Sequence, residues 1–388
     1  MRVLSTRELN RTFLTRQLLS DSTAAPAEVI AHLVALQGQE SDSPYLSVRA
    51  RIPTFRQADL TALLQDRTVV RSALLRGTQH LCTGEDFGWL RSTLQPYLDR
   101  FAGRGGRLGG LAQEELLEAA REILADGPMS RPEITRRLVE RFPGPDPEWL
   151  KLVVHLRLSL LHPPPAGTWR HRGRVSCVLA DDWLGRPQAG EPAPEKLVTR
   201  YLAAFGPASA KDVQVWSGLT RLRGLMSGMR EKLRVFRDEA GTELYDLPDA
   251  PLADEGMAAP VVFLPEFDNA LLGHSDRARI IHPGDRPLVM PGWSIVRPTV
   301  LVDGFVAATW SLAGSTLSIA EIRPLTGRVR AEVAAEGERL VEFVSPGEKA
   351  EIRWADERPE VSWALRSRQP ERALRAADTE GPLPGGTE

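Results

Sequence analysis

The chain has 388 residues, 42% hydrophobic and 26% charged, the balance of a globular protein long enough for several domains of ordinary size. No run approaches the ~18 to 20 apolar residues of a membrane helix, the first ten residues carry no apolar signal-peptide core, and Cys82 and Cys177 offer neither a disulfide framework nor a paired-cysteine zinc motif. A cytoplasmic protein without a membrane partner is expected. The net charge of −2 gives no overall sign of a nucleic-acid partner, so such a contact must come from local clusters among the 44 arginines, which far outnumber the 5 lysines.

Thr6 to Ser20 predicts a helix, with Leu9, Phe13 and Leu14 near one face. Pro26 opens a second, whose Val29, Ile30, Leu33, Val34 and Leu36 follow helical spacing. Asp59 to Gln65 and Asp86 to Leu98 predict further helices, and Leu74 to Leu81 alternates enough to be a strand. The glycine-rich run Gly103 to Gly110 follows a helix rather than a strand, so it fails the context of a phosphate-cradling turn; a linker or a basic hairpin tip is expected.

An internal repeat follows. Helix Glu114 to Ala125 leads into Gly127, Ser130, Glu133 and Ile134; helix Glu195 to Ala204 leads into Gly206, Ser209, Asp212 and Val213, each 79 positions later. In both copies a glycine ends one helix, and a serine three positions before a carboxylate starts the next; the first copy predicts a capping box. A third helix is expected at Pro147 to Leu161 and at Arg221 to Lys232, then short β material at Thr168 to Leu179 and Leu233 to Leu247. Helix, turn, helix, helix and a two-stranded wing is the winged-helix order. The basic run Arg221, Arg223, Arg230, Lys232, Arg234 and Arg237 fits either a solvated face or a phosphate-contacting surface.

After Pro251 the character changes. Val261 to Leu264, Ser294 to Leu301, Phe305 to Trp310 and Leu317 to Ile322 predict strands, and Arg328 to Phe343 a helix. From Pro370 the tail is polar and rich in Gly and Pro.

Three stretches stand out chemically. In Leu36-Gln37-Gly38-Gln39, a continuing helix would put Gln37 on the apolar face, where an unpartnered amide costs on the order of 1 to 3 kcal/mol. Gly38 suggests that the helix ends here in a left-handed turn, which would let both amides face one cleft; the alternative is a Gln at the core edge bonded to backbone. In Arg76-Gly77-Thr78-Gln79-His80-Leu81, a strand would place Arg76, Thr78 and His80 on one face. Leu264 to Arg277 sets Glu266, Asp268, Asn269, His274 and Arg277 among apolar residues, as a site or a buried polar network would.

Together these stretches resemble the AlkZ/YcaQ-like winged-helix DNA glycosylases, from about Leu9 to Arg330. The marks are LQGQ at Leu36 to Gln39, RGTQHL at Arg76 to Leu81 and LPEFDNALLGHSDR at Leu264 to Arg277. The resemblance implies an α+β fold, C-shaped overall: three tandem winged-helix domains at residues 1–110, 111–190 and 191–252, then a β-rich, barrel-like domain at 253–365, with a disordered tail at 366–388. It places the family's catalytic Gln-x-Gln on Gln37 and Gln39, although the middle residue is usually apolar and larger than Gly38. Arg76, Thr78, His80, Asp268, Asn269, His274, Arg277 and Arg279 are then expected to support the cleft or bind backbone phosphates. The implied substrate is double-stranded DNA carrying N7-alkylated purines, including bulky adducts and interstrand crosslinks, in repair or self-resistance. A monomer with no metal and no cofactor is expected. Two rivals make different forecasts. A winged-helix regulator or lesion-sequestering protein binds without releasing base, and a small-molecule hydrolase built on Glu266, Asp268 and His274 acts without DNA.

Overall fold

The computed structural model describes residues 1–20, 22–102, 108–188, 190–292, 295–356 and 358–359. Most of the Gly103 to Gly110 run and the whole 366–388 tail lie outside them. The chain divides into two compact units, residues 1–260 with 268–280 and residues 261–267 with 281–388. No helix among the described residues is long and apolar enough to cross a membrane.

The first unit carries three small sheets, each fed by helices. In the first, the strand Gln79–Thr83 lies between Leu36–Gln37 and Val69–Ala73, antiparallel to both. In the second, Ser176–Leu179 lies between Met129–Ser130 and Leu160–Leu161. In the third, Arg234–Asp238 pairs antiparallel with Glu243–Asp246 and parallel with the N-terminal Val3–Leu4. That last pairing has no local sequence signal, because the partners are more than two hundred positions apart.

Helix starts follow side-chain chemistry. Ser5, Ser130 and Ser209 each accept the amide hydrogen of the third following residue, satisfying a donor that has no partner inside the helix. The reciprocal capping box forms in the second copy of the repeat rather than the first. Asp212 accepts from the Ser209 amide at 2.8 Å, whereas the Glu133 carboxylate turns outward to Arg136 and Arg137. Glu133 is half-exposed on its helix, and two guanidiniums one turn away out-compete a single backbone amide.

Deep in this unit Arg51 and Asp268 form an ion pair with both side chains at 0% exposure. Two parallel bonds of 2.9 Å join guanidinium to carboxylate, and Ser47 donates to the same carboxylate at 2.6 Å. The remaining Arg51 donors go to Ser47 and Gln17. Burial alone would raise the Asp268 pKa, but Arg51, Ser47 and the Ala270 amide together hold it below the usual carboxylate value.

The second unit is a five-stranded sheet in linear order, Val262–Leu264, Thr299–Val302, Phe305–Ala313, Thr316–Glu321 and Glu351–Trp354. The first and last strands do not pair with each other, so among the described residues the sheet is open and the barrel-like expectation is corrected. The helix Gly327–Val344 covers it instead, and at Gly337 it comes so close that an added Cβ would lie 2.7 Å from Leu317 Cδ2. With a helix burying one face, closure is not needed to hide the apolar side chains.

Removing one partner of the Arg51–Asp268 pair leaves a buried charge without compensation. Asp268→Ala is expected to cost about 3 to 5 kcal/mol, and Arg51→Met with Asp268→Leu much less. Chemical denaturation of the three proteins measures the difference.

Candidate active site

The helix opened by Pro26 ends at His32, not at Gly38. Val34 takes the left-handed turn, with φ at +69°, and Leu36–Gln37 then enters the sheet. Leu33 to Leu36 are buried on all sides, so their spacing fits a helix or a strand equally; long-range pairing with Leu81 and His80 decides for the strand. Gly38 is not left-handed. A Cβ there would lie 2.6 Å from Leu81 Cδ1, so Leu81 fills the space that a side chain at this position would need.

The strand ends at Gln37, and Gln39 lies in a bend two residues on. Gln37 is directly opposite His80 across the ladder, and cross-strand partners share a face. The Gln37 amide oxygen accepts from the Thr78 hydroxyl at 3.3 Å. The Gln39 amide oxygen is buried and has no hydrogen-bond partner. Gly38 between them is held at both backbone groups: its N–H donates to the Gln79 carbonyl at 2.8 Å, and its carbonyl accepts from Arg71 Nε at 3.0 Å.

The Arg76 to Leu81 stretch is not one strand. Leu75–Gly77 forms a tight 3₁₀ turn with Arg76 left-handed at φ +54°, and the strand starts at Gln79. Arg76 therefore leaves the face of Thr78 and His80 and donates to the Trp216 carbonyl. His80 is 1% exposed, and its Nδ1 hydrogen goes to the Thr78 carbonyl at 2.8 Å. Burial, aided by the Arg76 charge, lowers its pKa to about 3, so the ring is neutral at physiological pH.

Most of residues 268–279 are buried or half-buried, Asp276 alone among them being exposed. Asp268 is committed to Arg51, which removes it from hydrolytic or metal-binding chemistry. Asn269 donates to the Ala35 carbonyl at 2.8 Å and so braces the backbone just ahead of Gln37. His274 is 2% exposed; it donates to the Phe205 carbonyl and meets the Phe13 ring edge-on at 5.1 Å. Arg277 donates to Leu271 and Arg279 to the Pro207 carbonyl. The structure thus joins Gln37 to Thr78 and sets it opposite His80, with Asn269 bonded to the backbone two residues ahead, while Arg76, His274, Arg277 and Arg279 serve other parts of the unit.

Sequence reading missed Arg71, the support of Gly38, and a polar cluster behind it. Among the described residues, His155, His162 and Cys177 form a trio with potential metal-ligand atoms within 4.8 Å of one another. The Arg131 guanidinium lies 3.0 and 3.4 Å from the two Nε2 atoms, where an ion would sit. Burial, then nearby arginines, push both imidazoles well below their usual pKa, and burial raises the thiol, so the trio is a neutral acceptor set for Arg131. Gln79 joins His155 to the first sheet at 3.1 Å. These partners come from four separate stretches of chain, and no local motif announces them.

The model of the DNA glycosylase AlkZ-like family matches residues 30–343. The chain belongs to that family. It is accordingly a DNA glycosylase, and DNA repair is its setting. The fold is also that of the Streptomyces sahachiroi DNA glycosylase AlkZ, with a TM-score of 0.75 over 92% of this chain and 100% of that one at 22% identity. No curated protein matches in sequence.

Four buried histidines held neutral make this glycosylase acid-sensitive. His80, His155, His162 and His274 have lowered pKa values in the fold, while the unfolded chain takes up their protons near the ordinary value of about 6.5. Stability should be level above about pH 6.5 and fall from there toward about pH 3. Urea midpoints compared between roughly pH 7.5 and 5 check this, and His80→Gln is expected to shrink the difference.

Proposed function

We propose that this glycosylase hydrolyses the N-glycosidic bond of N7-alkylated purines in double-stranded DNA, with Gln37 and Gln39 holding the attacking water. The observation that carries the proposal is the unpartnered, buried amide oxygen of Gln39, on the stretch that also fixes Gln37 through Thr78. A buried acceptor left open in a native fold calls for a partner, and water is the one this reaction requires.

Neutral amides suit this substrate. An N7-alkylated purine already carries positive charge, so when the bond from C1′ breaks, its electron pair goes to the base, which leaves neutral without a general acid. Water adds to C1′ as the oxocarbenium-like sugar forms. An amide is too weak a base to keep the water's proton, which passes to solvent after bond breaking. The site contributes position and dipoles fixed in advance. An unmodified base would leave as an anion, and nothing here protonates it. His80, with a pKa of about 3, is a poor base and supports Gln37 from the facing strand.

We further read the three small sheets and their helices as three winged-helix modules, acting as a monomer, with bulky adducts and crosslinks within the substrate range.

Gln37→Ala and Gln39→Ala are each expected to slow single-turnover release of an N7-alkylguanine by roughly 100-fold or more while DNA binding persists. Abasic-site formation scored by alkaline cleavage measures it, and unchanged rates would remove both residues from the reaction. The wild-type rate is expected to stay flat over roughly pH 6 to 8, since no group at the site titrates there.

A further inference from the structure

The connection between Leu160–Leu161 and Ser176–Leu179 contains Trp169-Arg170-His171-Arg172-Gly173-Arg174. All three arginines are exposed. The loop is anchored, however, and its anchors belong to the stretch that follows Gln39. Asp42 accepts the Arg170 amide hydrogen at 2.7 Å and pairs with the Arg172 guanidinium at 2.5 Å. The Trp169 ring lies 5.4 Å from that of Tyr45. Inside the loop, Gly173 sits so close to the His171 ring that a Cβ would be 2.7 Å from Cε1. His171 Nε2 is buried without a hydrogen-bond partner.

We propose that the Trp169–Arg174 loop is a clamp for DNA backbone phosphates, held beside the reacting base by Asp42 and Tyr45. The proposal rests on placing the reaction at Gln37 and Gln39. Asp42 is three residues beyond Gln39, so even a fully extended chain keeps the anchor within about 11 Å of it. The connection at 162–175 carries three arginines and no carboxylate of its own, in a chain whose net charge is slightly negative. Arg174 in particular makes no ion pair among the described residues. Guanidinium is the side chain best matched to phosphate, since it gives two parallel hydrogen bonds and sheds its hydration more readily than an ammonium group. Contacts to phosphate oxygens give position and affinity without sequence preference. It also replaces the Asp268 to Arg277 segment as the source of phosphate binding, because that segment is occupied internally.

The test is equilibrium binding of the full chain to an undamaged duplex over a range of salt concentrations. Arg174→Ala and the double variant Arg170→Ala/Arg174→Ala are compared with wild type, with Arg328→Ala, an exposed arginine of the other unit, as control. Every phosphate that the protein no longer neutralises should lower the slope of log K against log salt by about 0.9. The expected result is a slope reduced by about one for the single variant, with weaker binding at low salt, and a larger reduction for the double. Equal slopes in wild type and both variants would overturn the clamp. Because undamaged DNA is used, failure of wild type to release an alkylated base would count against the proposed reaction and leave the slope comparison standing.

Discussion

Arg51 and Asp268 stand 217 positions apart in the chain and meet where neither touches water. A charge in that setting needs its partner and further hydrogen bonds, or it does not stay charged. The pair therefore constrains everything attached to it. It draws the 268–280 segment into the first unit and sets the helix Ser43–Arg49 against it. It also puts Asn269 in reach of Ala35, next to the strand that carries Gln37. The position of the glutamines thus depends on a residue that contacts neither of them.

Much of the fold was legible because its causes are local. Ser130 and Ser209 mark helix starts by capping, and four of the five strands of the second unit lie in β-branched or aromatic runs broken by glycine and proline, Glu351–Trp354 being the one without such a signal. The readings that changed are those in which a distant partner decides. The Leu33 to Leu36 run is apolar on every side, so periodicity could not separate helix from strand, and only the pairing with Leu81 does. Arg76 fits a strand pattern, but a left-handed turn and the Trp216 carbonyl take it elsewhere. At the candidate site, the Leu264 to Arg277 stretch drew notice for its polar groups among apolar ones. That pattern belongs equally to an internal network, and Asp268, Asn269 and His274 make one. Arg71, Asp42 and Arg172 escaped notice because each acquires meaning only from a partner in another segment.

The electrostatics of the first unit have a common character. Some buried charges are matched by a carboxylate, as at Arg51 with Asp268 and Arg16 with Asp246, and others, such as Arg71 and Arg91, bond to backbone carbonyls. The groups beside Gln37 are a hydroxyl and a neutral imidazole, and the nearby Arg71 guanidinium is spent on the Gly38 carbonyl. In the proposed reaction this arrangement makes the substrate supply the charge. Selectivity for damaged DNA then comes from the leaving group itself, and the protein needs no strong acid that would also attack intact bases.

The N-terminal Val3–Leu4 pairs with Arg237 and Asp238, and Leu4 and Leu9 complete an apolar cluster with Phe236 and Leu244. On the ribosome the chain grows from this end. Its first strand therefore emerges long before the hairpin that accepts it. Until that hairpin has left the exit tunnel, Leu4 and Leu9 lack Phe236 and Leu244, and the Arg16 guanidinium lacks Asp246. Folding of this unit cannot proceed strictly from front to back, and its opening segment must wait, available to chaperones, for the sheet that will bury it.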